Sequence, residues 1–127
     1  MKGLRFLLPL ALAAALAIPA AVSAAPSPTS VSVSSNAQYL SPTTIVVQVT
    51  YTCPAPLTAS IGVSVQEQNL TNATGGGFMS APCTGNAQTV GIVVNGTGFT
   101  PGKAYANGFA CAGLFCDTDV RQIQIVV

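Results

Sequence analysis

The chain has 127 residues, half of them hydrophobic and only 6% charged, with a formal net charge of +1. Beyond residue 24 the charges are Lys103 and Arg121 against Glu67, Asp117 and Asp119, which leaves a net charge of −1. Phosphate binding needs a basic patch that two cations cannot form, so nucleic-acid binding is excluded, as is electrostatic attachment to an anionic membrane.

The N-terminus has the three parts of a secretory signal. Lys2 and Arg5 precede an apolar run from Leu7 to Val22, and Val22-Ser23-Ala24 supplies the small residues at which a signal peptidase cuts. A membrane anchor would need about 20 apolar residues. This run is shorter, carries Pro9 and Pro19, and meets the cleavage pattern at once. Residues 1–24 are therefore expected to be a signal peptide. The mature chain, residues 25–127, is expected to be secreted and free of the membrane, since no Cys stands at the cut and no hydrophobic tail follows. Its 103 residues suffice for one domain.

Cys53, Cys83, Cys111 and Cys116 all lie in the mature part, an even count that reads as two disulfides in an exported chain. Cys111 and Cys116 have four residues between them, which pairs them with each other and leaves Cys53 for Cys83. In the chain-entropy estimate the longer loop contributes roughly 3–4 kcal/mol and the shorter roughly 2. There is no His and no CxxC spacing, so a zinc site is not expected.

Residues 25–36 are rich in Pro, Ser and Thr and read as a leader in which Val31 and Val33 can begin a first strand; the domain proper is expected over 37–127. From Thr43 to Cys53, Ile45, Val47, Val49 and Tyr51 alternate with Val46, Gln48, Thr50 and Thr52, the period of a half-buried strand. Ile61, Val63 and Val65 alternate likewise. Asn69–Gly77 reads as a loop with Gly75-Gly76-Gly77 at its tip, followed by a short strand from Phe78 to Cys83 and a turn at Thr84-Gly85-Asn86. Val90, Ile92 and Val94 mark the next strand, and Asn95-Gly96 a tight turn. Phe99-Thr100-Pro101-Gly102 is a corner, followed by an Ala-rich strand from Lys103 to Cys111. Asp117–Asp119 leads into a last strand through Ile123, Ile125 and Val127. No stretch after residue 24 has helical spacing. The expected fold is all-β, an immunoglobulin or fibronectin type III-like β-sandwich of about seven strands.

Phe99-Thr-Pro-Gly-Lys-Ala-Tyr105 resembles the corner before strand F of fibronectin type III domains. That resemblance implies that Phe99 plugs the core and that the Tyr105 hydroxyl bonds the backbone upstream; the alternative is that Tyr105 is an ordinary strand aromatic. The order Val-x-Val-x-Tyr-Thr-Cys53, Val63-x-Val-x-Gln66, Cys83-Thr-Gly, Gln88-Thr-Val and Phe99-x-Pro-Gly-x-Ala104 resembles an uncharacterised family of small secreted actinobacterial proteins, over about residues 45–109. That family implies no activity. Cys111-Ala-Gly-Leu-Phe-Cys116 is also similar to the C-terminal disulfide loop of the neocarzinostatin-type apoproteins, which implies carriage of a small apolar ligand; the first pair is longer here than in those proteins.

Catalytic residues are scarce. Without His no Ser–His or Cys–His pair exists, and three carboxylates without Trp platforms make a poor glycosidase, so no enzymatic activity and no cofactor is expected. Asp117 and Asp119 could contribute to a calcium site only with further oxygens, and turn chemistry is the plainer reading. Asn69, Asn72 and Asn95 are glycosylation acceptors in form. Leu114 and Phe115, inside the Cys111–Cys116 ring, are the candidate interaction residues, unless Phe115 folds back to cap the core. The expected function is a non-catalytic extracellular binding or envelope-associated module for a protein, glycan or small apolar ligand. The alternatives are a carrier of a small apolar ligand or an enzyme inhibitor presenting the clamped loop.

Overall fold

The computed structural model describes residues 28–68 and 72–127; the expected signal peptide, residues 1–24, and Asn69 lie outside them. Among the described residues every regular element is a strand: β1 (Ser30–Ser41), β2 (Thr44–Thr52), β3 (Thr58–Glu67), β4 (Thr74–Pro82), β5 (Gln88–Gly96), β6 (Gly102–Ala112) and β7 (Phe115–Val126). The alternating residues of β2 behave as the pattern requires, with Ile45, Val47, Val49 and Tyr51 buried. β1 takes in the second half of the Pro/Ser-rich segment, burying Val31 and Val33.

The hydrogen bonds close the seven strands into a barrel in the order β1-β2-β5-β4-β3-β6-β7, where two open sheets were expected. Closure depends on two short seams. At the first, β1 pairs antiparallel with β2, but an irregularity between Val33 and Ala37 puts four steps of β1 against two of β2. The bulge turns the strand so that Asn36, Ala37 and Gln38 also pair, in parallel, with Gln124, Ile125 and Val126 of β7. Nearer its start β1 is held to β7 by side chains instead. The Val31 and Val33 amides donate to carboxylate oxygens of Asp117 and Asp119, at 2.9 and 2.7 Å. Arg121 Nε donates to the same Asp119 oxygen at 3.0 Å.

At the second seam β4 meets β5 through two residue pairs, Gly75 with Gly96 and Gly76 with Asn95. The glycines read as a loop tip are therefore strand residues, and the approach of the two strands explains them. A Cβ on Gly77 would lie 2.2 Å from the Val93 carbonyl oxygen, and one on Gly75 2.5 Å from that of Asn95. The Phe99 ring fills the remaining space, 2.7 Å from a Cβ on Gly75 and 2.9 Å from one on Gly96. Phe99 is fully buried, as the corner resemblance implied. Asn95-Gly96 belongs to the strand and not to a turn.

Beyond Gly77 the β4–β5 pairing stops, and the far end of β4 is tied instead to β2. Cys53, just after β2, is bonded to Cys83, just after β4. The Gly85 amide donates to the Cys53 carbonyl at 2.9 Å. The buried Tyr51 hydroxyl lies 2.9 Å from the Pro82 carbonyl and 3.0 Å from Gln88 Oε1, and its single proton serves one of them at a time.

The corner before β6 is fastened differently from what the resemblance implied. Tyr105 is on the outside of the barrel. The buried carboxylate of Glu67 does the work, accepting from the Thr100 amide at 2.8 Å and its hydroxyl at 3.1 Å, while the Phe99 amide donates to the Pro42 carbonyl at 2.8 Å.

Two outcomes follow from this packing. Gly77→Ala should lower the unfolding free energy by about 1–3 kcal/mol, because the new methyl meets backbone that cannot yield. Gly76→Ala, whose Cβ would have its nearest neighbour at 3.6 Å, should be neutral or stabilising by about 0.4–1 kcal/mol. Urea melts of the two variants decide between this account and a loose glycine loop, in which both substitutions would be harmless. Burial also pushes the Tyr51 phenol above its ordinary value of 10.0. The folded state then holds that proton after the unfolded chain has released it, so this contribution is complete below about pH 10 and is lost as pH rises from there through the native value. The urea midpoint should fall above pH 10, and Tyr51→Phe should flatten that part of the profile.

Candidate functional site

β6 carries its small residues inward and its large ones outward. Ala104, Ala106, Gly108 and Ala110 are buried, while Tyr105, Asn107 and Phe109 stand on the surface. At Gly108 the inward position must be small because β1 passes close behind it: a Cβ there would lie 2.5 Å from the Val33 side chain. The same alternation forces the aromatic residues outside, onto the face made by β4, β3, β6 and β7.

Register places the residues of this face in rows across the strands. Phe78, Gly62, Phe109 and Thr118 form one row; Gly76, Ser64, Asn107 and Val120 the next; Thr74, Gln66, Tyr105 and Gln122 a third. The Phe109 ring lies over Gly62, where a Cβ would come within 2.2 Å of it. Phe78 is 65% exposed and Tyr105 43%. The middle row is low, because Gly76 has no side chain and Ser64 a short one. An open trough of about 900 Å³ results, bounded by Phe78 and Phe109 and continuing over the glycines of β4 to Val93 and Asn95 of β5. A smaller hollow of about 280 Å³ adjoins it through Ser64 and Asn107 and reaches Tyr105 and Val120. No charged side chain lines either one.

The Cys111–Cys116 disulfide continues the same face as a further row beside Ser60 and Ser80. The ring it closes is a hairpin and not a long loop. Ala112 pairs with Phe115, leaving only Gly113 and Leu114 between the strands. Gly113 has a φ of 61°, the left-handed conformation that a type II′ turn needs at its first central position. Leu114 is 96% exposed and Phe115 58%, so Phe115 does not cap the core.

Asp117 and Asp119 are brought together on β7, but as acceptors for the amides of β1 and for Arg121. Among the described residues no three metal-ligating side chains cluster. Of the described glycosylation acceptors, Asn72 is exposed before β4, and Asn95 stands on the rim of the trough. The sequence reading missed Phe78, Asn107 and Phe109. The signal available for them was the alternation Ala-Tyr-Ala-Asn-Gly-Phe-Ala in β6, with small residues on one face and large ones on the other.

The two disulfides differ in accessibility. Cys53 and Cys83 are buried, whereas Cys116 is exposed and Cys111 half-buried. Limited reduction of the folded protein should therefore label Cys111 and Cys116 with an alkylating reagent before Cys53 and Cys83, as read by peptide mapping. Earlier labelling of Cys53 or Cys83 would contradict this burial.

No known family model matches the chain, and no curated protein is significantly similar to it.

Proposed function

We propose that this protein is secreted after removal of residues 1–24 and acts as a non-catalytic extracellular binding module, with its ligand held on the outer face of β4, β3, β6 and β7. The observation that carries this reading is the uncharged trough between Phe78, Phe109 and Tyr105. Exposed aromatic rings around a concavity are what a binding surface needs: large contact area at little cost in side-chain entropy. Two disulfides support an oxidising compartment. The strand order is consistent with a flattened barrel of immunoglobulin-like type, in which β1, β2 and β5 face β4, β3, β6 and β7, and we include that finer description, and kinship with the small secreted actinobacterial proteins, in the proposal.

A second reading has its own observation. Leu114 and Phe115 project from a disulfide-closed hairpin, and a pre-ordered apolar tip suits contact with a protein partner.

Native mass spectrometry of the protein purified from its own source, compared with Phe78→Ser/Phe109→Ser and Leu114→Ser/Phe115→Ser double variants, separates the two. Retention of a ligand by the parent and its loss from the first variant alone is expected. Loss from the second variant alone would move the site to the hairpin tip. The Leu114→Ser/Phe115→Ser variant should keep its stability within about 0.5 kcal/mol, because both side chains are exposed.

A further inference from the structure

We infer that the trough is a site for a neutral glycan chain lying across the strands; this rests on the proposed binding face and names the chemistry of its ligand.

Three features of the face select that chemistry. The first is the lack of charge along the lining, which leaves nothing to compensate a charged ligand on desolvation. The second is the presence of aromatic rings on both sides of a row that carries polar side chains. Phe78 and Phe109 stand on one side of the Gly76–Ser64–Asn107 row and Tyr105 on the other. Among the described residues no hydrogen bond ties down the side chains of Ser64 or Asn107. Together they offer a hydroxyl and an amide, each able to donate and to accept. A purely apolar ligand would bury these groups without partners, at a cost of about 1–3 kcal/mol for each group left unsatisfied. A pyranose has both parts required: C–H groups that pack on an aromatic ring, whose face is electron-rich, and hydroxyls around its edge that pair with an amide or hydroxyl. The third is direction. The trough runs across β5, β4, β3, β6 and β7 rather than along any one of them. Adjacent strands are about 4.8 Å apart, close to the advance of a glycan chain per sugar, so successive units meet successive strands.

Titration of the isotopically labelled protein with neutral hexasaccharides of glucose, mannose and N-acetylglucosamine tests this by NMR, with an oligogalacturonate as the charged comparison and Nile red as the apolar one. At least one neutral hexasaccharide should move the amide signals of Ser64, Asn107 and Phe109. Its affinity should rise with chain length up to about four or five sugars, the width of the trough in strands. Asn107→Ala and Tyr105→Ala, both at exposed positions, should each weaken it about tenfold. Phe109→Ala gives a third reading if it remains folded. Binding of Nile red alone, lost in Phe78→Ser/Phe109→Ser, would overturn the glycan inference and leave the binding face standing. Tighter binding of the oligogalacturonate would also overturn it. If no probe binds, or binding is indifferent to all these substitutions, the inference and the binding face fall together.

Discussion

The close crossing of β4 over β5 is the constraint on which the remainder of the barrel depends. Gly77 passes so near the Val93 carbonyl that no side chain fits, and Gly75 and Gly96 leave the space that Phe99 occupies. Without that approach β4 would be paired only to β3, and the barrel would open along its length. The contact is confined to one end. At the other end the same two strands are unpaired, and β4 is tied back to β2 by the Cys53–Cys83 bond and by Tyr51. The β1–β7 seam follows the same plan, with backbone pairing at Asn36–Gln38 and the carboxylates of Asp117 and Asp119 reaching the free amides of β1 further along. Amides of a strand that pairs on one side only would otherwise form an edge open to other chains.

The glycines that close the barrel also shape its outer face. Gly76 lies between the two glycines that must be small, yet its own outward position is not crowded. Its missing side chain lowers the middle row of the face and joins the surface of β4 to that of β5. Likewise, the inward turn of Gly108 against Val33, with Ala104, Ala106 and Ala110 on the same face, fixes the phase that turns Tyr105, Asn107 and Phe109 outward. The trough is thus a consequence of how the core packs, and its rim stands on paired strands rather than on mobile loops. Sites on such elements hold their geometry better than sites on loops.

Much of the fold was legible where one strand's residues suffice. The alternation in β2 gave its buried face, the cysteine spacing gave both disulfides, and Phe99 could be placed in the core from its corner sequence. The misreadings share a cause. Gly75–Gly77 looked like a loop because glycine lacks strand propensity, and only the proximity of β5 shows why a strand there must be glycine. Tyr105 was a reasonable candidate for the corner bond, but a carboxylate 33 residues upstream of Thr100 made that bond instead. Closure and the trough depend on the register of strands far apart in sequence. Phe78 and Phe109 come into one row only because both pair opposite Gly62.

The distribution of charge joins these observations. All three carboxylates, Glu67, Asp117 and Asp119, accept backbone amides from segments distant in the chain. Each does at a seam or corner what a ladder hydrogen bond does within a sheet, and charge-assisted bonds of this kind are the stronger for it. A chain that places its acidic groups in this way leaves the trough lined by uncharged residues, with Lys103 standing beyond it on the same face of β6. With no charge in that lining, recognition there depends on contact: ring against apolar surface, and hydroxyl or amide against a matching group. Rigid strands suit that kind of recognition, because little further ordering is needed when the contact forms.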